Sequence, residues 1–265
     1  MTRTDLIKKS VSLLLAAVLL FAVPVSASGK DGVGMNLLDM SSYTFAGDPV
    51  DGSIFYESSL TVINIWQRWC GPCWAELPAF LELYEYYSAT PEADVDLWGA
   101  LYYGSDPSLI AQAIEYVEEY GYNWNHMVLC SELEAVASSG YTGENYPIPQ
   151  TLIVDRYGNV RCQVYGSITE PEELFGLVRR WLEQLEGEYA AEAGDVDGSG
   201  AADSLDALLL MRHLLSLITL DRAQLLKADF DGNGEVDSVD ALAIMRLSPG
   251  RSFFCVSILS RYRVL

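Results

Sequence analysis

Histidine is almost missing: the 265 residues hold only His126 and His213, which argues against a His-rich metal site and a His-based catalytic triad. Cations are scarce as well, 16 Lys plus Arg against 37 Asp plus Glu, for a net charge of −21. Affinity for a phosphate backbone is built on clustered cations, so this balance argues against nucleic-acid binding. Cysteine is sparse and odd in number, five residues, two of them three apart. That is less a disulfide scaffold than a redox or metal pair with leftovers. The apolar run at 13–25 is too short for a comfortable membrane span. What the chain does have is apolar material: hydrophobic residues make up 50% and charged residues 20%, enough for a packed core and against global disorder.

The N-terminal 1–27 reads as a secretory signal peptide. Arg3, Lys8 and Lys9 precede the apolar run, and Val25-Ser26-Ala27 offers small residues at a cleavage site. An uncleaved anchor is the alternative. Cleavage places the mature protein outside the cytoplasm, where thiols are oxidised.

The remainder divides in two. Residues 36–186 alternate strand and helix patterns. Leu60–Trp66 is a short buried strand, 73–87 carries apolar residues at helical spacing, 95–102 is a second strand, and Pro107 opens a helix to Tyr120. Strands at 151–154 and 160–164 flank a tight turn and form a hairpin, and Thr169 with Glu172 forms a capping box for a last helix ending near Leu185. This predicts an α/β domain with a central sheet flanked by helices. Residues 187–193, small, acidic and unpatterned, read as a linker. From 194 the composition turns to Asp, Gly, Asn and Leu, and 194–212 repeats at 228–246 without a gap. A duplicated unit of this length is one supersecondary element used twice.

The first chemical motif is Trp69-Cys70-Gly71-Pro72-Cys73, at a strand-to-helix junction. A thiol at a helix N-terminus meets unpaired N–H groups that favour the thiolate. Cys70 would then attack a substrate disulfide and Cys73 resolve the mixed disulfide. Half of a zinc site is the competing reading, but no second Cys/His pair has the spacing for the other half. Trp66 and Trp69, beside the pair, are candidates for shaping a peptide-binding surface. Cys130 and Cys162 lack any motif; they pair or stay buried as small apolar residues.

Residues 62–78, together with 146–155, resemble the thioredoxin superfamily and specifically its TlpA-like thiol–disulfide oxidoreductases. The resemblance covers about 36–186. It implies a thioredoxin fold and a cis-proline at Pro149, preceded by Ile148 and facing the dithiol. Asn64 stands where thioredoxins proper carry a buried Asp, so the proton acceptor for Cys73 comes from elsewhere; Glu76, where this subfamily often has a Glu, is the candidate for tuning the thiols, with a solvated helix residue as the alternative.

The second motif is the repeated acidic loop. Asp195, Asp197, Ser199, Asp203 and Asp206 fall at positions 1, 3, 5, 9 and 12, with Gly200 at position 6. Asp229, Asp231, Asn233, Asp237 and Asp240 match them, with Gly234 at the turn. Such alternating hard oxygens suit Ca²⁺, with the backbone carbonyls of Ala201 and Glu235 at position 7. An apolar helix follows each loop, with no clear helix before it. The pattern resembles a type I-like dockerin over 194–246, which implies a small all-α domain, two calcium ions and docking to a cohesin of a scaffolding protein. Ser204, Leu205, Ser238 and Val239, at positions 10 and 11, are the implied partner-choosing residues. Their match between repeats allows two docking orientations related by a half-turn. Pro249 and Gly250 stop the second helix early, and the tail 248–265, which carries three Arg and no acid, departs from the pattern.

The preferred reading is a secreted thiol–disulfide oxidoreductase acting on disulfides of exported proteins, held on a cellulosome-type complex by its dockerin, with no membrane span after cleavage and no cofactor in the redox domain beyond the dithiol. A catalytically silent thioredoxin-fold spacer or peptide-binding module is the alternative. A peroxiredoxin-type peroxidase ranks below both, because Cys-Gly-Pro-Cys is not that class's motif. Residues 36–186 show no carboxylate pair in a context that fits sugar cleavage.

Overall fold

Leu60–Trp66 (β3) is buried at every residue, and its alternation sorts the domain into two layers. Leu60, Val62 and Trp66 face one apolar core, and Ile63 and Ile65 face another. A strand that is apolar on both faces must be central, covered on each side. The computed structural model describes residues 32–103, 106–141 and 146–247. The leader read at 1–27, the tail at 248–265 and Cys255 lie outside the described residues.

Two short strands, Ser41–Tyr43 (β1) and Pro49–Asp51 (β2), pair antiparallel ahead of a 3-10 helix, Gly52–Glu57. After β3 come helix Gly71–Ser88 (α1), strand Val95–Leu101 (β4), helix Pro107–Tyr120 (α2), strand Asn125–Val128 (β5) and helix Ser131–Ala137 (α3). Strands Gln150–Asp155 (β6) and Val160–Tyr165 (β7) and helix Pro171–Glu192 (α4) follow. The main sheet runs β5-β4-β3-β6-β7; β4 is parallel to β3 and β5, while β6 is antiparallel to β3 and β7. Helices α1, α2 and α4 cover one face through Leu77, Phe80, Ala113, Val117, Leu174 and Val178. Burying one such Leu or Phe contributes about 1.5–3 kcal/mol. The other face is covered by α3 and the N-terminal segment, through Leu133, Val136, Leu37 and Phe55. This is the thioredoxin fold expected for 36–186. The sequence pattern did not reveal β1, β2, β5 or α3.

Helix α4 differs from expectation at both ends. Its N-cap is Glu170, without a side-chain cap, so the Thr169–Glu172 capping box does not form. Pro171 takes the first turn, where its fixed φ and missing N–H fit, and that sets the boundary. At the other end the helix runs to Glu192, through the stretch read as a linker. Tyr189 holds it there: its hydroxyl donates to the Ser59 carbonyl at 2.8 Å and accepts from Arg156 N at 3.1 Å, and the Arg156 guanidinium lies 3.6 Å from its ring centroid. Arg161 adds an ion pair to Glu188 at 2.7 Å.

Beyond it, helices Ser204–Leu214 (α5), Arg222–Ala228 (α6) and Ser238–Arg246 (α7) form a second small core around Val196, Ala207, Leu210, Leu220, Ala228, Ala241 and Ile244. Ala207 and Leu210 correspond to Ala241 and Ile244 in the repeat, so the core reflects the duplication. A helix does precede each loop, contrary to the sequence reading: α4 leads into the first and α6 into the second. The Asp221–Gln224 capping box that opens α6 was the signal available. Lys227 of α6 meets Glu192 of α4 at 3.5 Å, and Gly194 N donates to the Lys227 carbonyl. Among the described residues no helix is long and apolar enough to cross a membrane.

Candidate functional site: a helix-end disulfide and two acidic loops

Cys70 is the N-cap of α1, and Pro72 sits in the first turn. Cys70 and Cys73 are joined in a disulfide. Cys70 Sγ accepts from Cys73 N at 3.2 Å, an N–H it shares with the Cys70 carbonyl, so the first sulfur sits at the helix start, where negative charge is favoured. Cys73 is fully buried and Cys70 is 5% exposed, so Cys70 is the sulfur nearer solvent. The Ile148–Pro149 peptide bond is cis, as the resemblance implied, and the Ile148 carbonyl oxygen lies 3.7 Å from Cys70 Sγ. Strands β3 and β6 are neighbours in the sheet, which brings these distant segments together. An open cavity of about 440 Å³ faces the pair, lined by Trp69, Cys70, Gly71, Pro72, Tyr102, Tyr103, Tyr146 and Ile148.

Glu76 is no solvated helix residue. It is fully buried, one turn beyond Cys73, and accepts from Asn64 Nδ2 at 2.7 Å and from Ile168 N at 3.0 Å. Burial outweighs these two donors and raises its pKa from 4.5 to about 8. Trp66 is also fully buried and forms no peptide-binding surface; Trp69 is 57% exposed and does face the cavity. Cys162 is buried in the core, and Cys130 is half-buried at the N-cap of α3 with its thiol pKa pushed up, chiefly by burial.

In the first acidic loop Asp195, Asp197 and Asp206 bring one carboxylate oxygen each within 4.8 Å of one another, and Asp229, Asp231 and Asp240 do the same in the second. Ser199 Oγ lies 3.4 Å from Asp195 Oδ1 and 3.3 Å from the Ala201 carbonyl. Asn233 N donates to both Asp229 and Asp231. Gly200 and Gly234 turn with φ of +93° and +86°, which position 6 demands. Asp206 and Asp240 are fully buried, and each takes backbone N–H groups on both oxygens. Asp229 is shifted up by burial, with the charges of Asp240 and Asp231 adding to the shift. Clustered carboxylates with hydroxyl, amide and carbonyl oxygens around them are the hard donor set that Ca²⁺ takes, so these residues fit the ion. Asp203 and Asp237 serve a different purpose from the ligands: each caps its helix, Asp203 through Leu205 N at 2.7 Å and Asp237 through Val239 N.

Ser204, Leu205, Ser238 and Val239 are exposed at the starts of α5 and α7. Leu208 and Leu242, one turn on, extend the same exposed faces and were not singled out from sequence.

Residues 193–247 match the family model described as Dockerin type I domain. The thiol-disulfide oxidoreductase ResA of Geobacillus kaustophilus (strain HTA426) is 25% identical over 130 residues, 49% of this chain and 65% of that protein. ResA of Geobacillus thermodenitrificans (strain NG80-2) is 26% identical over 117 residues, 44% of this chain and 60% of that protein. The chain thus spans less than two thirds of the length of these curated relatives. Among solved structures, a thiol:disulfide interchange protein of the thioredoxin family from Chlorobium tepidum TLS is 20% identical, covering 57% of this chain and 99% of its own, with a TM-score of 0.46. A secreted Mycobacterium tuberculosis disulfide oxidoreductase homologous to E. coli DsbE is 23% identical, covering 54% and 96%, with a TM-score of 0.40. The chain therefore joins a thioredoxin-fold domain, similar in sequence to thiol-disulfide oxidoreductases, to a segment that matches the dockerin type I domain.

Proposed function

We propose that this protein is an exported thiol–disulfide oxidoreductase that exchanges disulfides of other exported proteins through Cys70 and Cys73, and that its dockerin docks it on a cohesin-bearing scaffold of a cellulosome-type, polysaccharide-degrading complex. One observation carries the redox half: a disulfide at a helix N-terminus, beside an X-cis-Pro carbonyl and open to a cavity. In the reducing direction the Cys70 thiolate attacks a client disulfide. A Cys70–client S–S bond forms, the client S–S bond breaks, and the departing client sulfur takes up a proton. Cys73 then loses its proton and attacks Cys70 Sγ, closing the 70–73 disulfide and releasing the second client thiol. Two electrons pass from the dithiol to the client. Glu76 is the acceptor for the Cys73 proton. Only its carboxylate form can take this proton; with the pKa raised to about 8 that form is the minor one at neutral pH and grows as pH rises toward 8, so the resolving step should quicken over that range.

The docking half rests on the repeat. Asp195, Asp197, Ser199, Asp206 and the Ala201 carbonyl would hold one calcium ion, and Asp229, Asp231, Asn233, Asp240 and the Glu235 carbonyl a second. When bound, the ions neutralise the clustered carboxylates and fix both loops. Ser204, Leu205, Ser238 and Val239 then present the face that meets a cohesin.

Insulin reduction by wild type and Cys70→Ser tests the redox half: loss of activity supports it, and equal activity overturns it. A cohesin pull-down with and without chelator tests the docking half, and binding that survives calcium removal overturns it.

A further inference from the structure

The cavity beside the disulfide has an unusual wall. Four aromatic residues, Trp69, Tyr102, Tyr103 and Tyr146, line it, and among the described residues its remaining lining carries no charge. Tyr102 stands at their centre. Its ring meets Trp69 edge-on at 6.3 Å and 64°, Tyr146 edge-on at 5.0 Å and 69°, and Tyr103 at 4.1 Å and 39°. Tyr102 and Tyr146 are buried behind the exposed Trp69 and Tyr103, so the open π surface of the box belongs to Trp69 and Tyr103.

The box is held in place from behind. Gln67, fully buried, donates Nε2 to the Tyr102 carbonyl and accepts from Arg68 N, while Tyr102 N donates to the Trp66 carbonyl at 2.9 Å. The loop carrying Trp69 is thereby tied to the end of β4. Tyr103 adopts φ +56°, a left-handed conformation that costs a non-glycine residue energy and recurs at ligand sites.

The charge of Glu134, on α3, acts on the phenols of both Tyr102 and Tyr146, whose pKa values rise chiefly through burial. Arg68, next to the box in sequence, instead acts on Tyr116 of α2. The whole chain carries −21. Aromatic faces are negative at the ring centre and attract cations, more strongly where water is partly excluded.

We propose that this box takes a lysine or arginine side chain of the client, on the peptide segment flanking the disulfide to be exchanged. An apolar client residue would gain contact area only. An anionic one would face the ring quadrupoles and Glu134. The inference rests on the reading that Cys70 and Cys73 exchange client disulfides, and it selects among clients: segments with a basic residue near the cysteine go first.

The test uses the full chain, reduced, with disulfide-bonded peptides identical except at one position two residues from the cysteine, which is Lys, acetyl-lysine, Leu or Glu. A cation–π gain of roughly 1–2 kcal/mol corresponds to about 5- to 30-fold in kcat/KM for Lys over Leu. Acetyl-lysine, equal in length but uncharged, should fall to the Leu value, and Glu below it. The Lys-to-Leu ratio should collapse toward one in Tyr103→Leu and in Trp69→Leu. Equal kcat/KM for Lys, acetyl-lysine and Leu with wild type overturns the proposal while leaving disulfide exchange standing. No turnover of any of the peptides overturns the exchange reading beneath it.

Discussion

Asn64 of β3 donates Nδ2 to Glu76 Oε1 of α1 across 2.7 Å, with both side chains fully buried. The strand before the cysteines thus carries a neutral amide, and the carboxyl comes from the helix after them. Asn64 cannot take up a proton, so the one titrating group of this pair is Glu76, whose pKa is raised to about 8. The amide orients the carboxyl from below while Ile168 N fixes its other oxygen.

Glu76→Gln should slow the resolving step on the order of 100-fold at neutral pH, the usual scale for losing a positioned proton acceptor. The pH profile should lose its inflection near 8. A rate and profile like wild type would remove Glu76 from the chemistry.

The same carboxyl sets a pH dependence of stability. In the folded chain Glu76 keeps its proton to about pH 8, whereas its usual value is 4.5. Between these values the folded state holds a proton that the unfolded chain releases. Its contribution is fully present below pH 4.5, falls as pH rises through the window and levels off above 8, a loss on the order of a few kcal/mol. Glu76→Gln should flatten this part of the profile in denaturant unfolding of the disulfide form. It also leaves one buried donor without its acceptor, about 1–3 kcal/mol, so the slope is the informative quantity.

Leu205→Asp and Val239→Asp should each leave cohesin binding largely intact, because the other repeat supplies an equivalent face. The double variant should lose it. Titration calorimetry with a cohesin checks this, and a single variant that abolishes binding would show that one repeat alone docks.

Tyr189→Phe removes the bond to the Ser59 carbonyl and leaves Arg156 N without an acceptor. A loss of about 1–3 kcal/mol in unfolding free energy is expected. A neutral result would mean that the last turns of α4 are not anchored to the sheet.

Elements whose cues are local were legible in the sequence. β3 is an apolar run between turn signals, α1 starts at the Cys motif, and Pro107 opens α2. The acidic loops could be read because calcium ligation fixes spacing within twelve residues. The C-terminal turns of α4 were hidden: Leu182, Leu185 and Tyr189 have helical spacing, but Glu183, Glu186 and Glu188 dilute it, and the anchor of Tyr189 is Ser59, far away in sequence. The burial of Glu76 could not be read, since a Glu on a helix has the same local pattern whether it faces water or the sheet. The aromatic box was out of reach for a related reason: Trp69, Tyr102 and Tyr146 come from separate segments that meet only through the strand order of the sheet.

In the proposed exchange Cys70 is the attacking sulfur and Cys73 the resolving one. Intact-mass spectrometry of Cys73→Ser, reduced and then exposed to a disulfide-bonded peptide, tests it most directly. The expected result is a stable one-to-one peptide adduct mapped to Cys70 and lost in Cys70→Ser. An adduct on Cys130, Cys162 or Cys255 instead, or none at all, would contradict it.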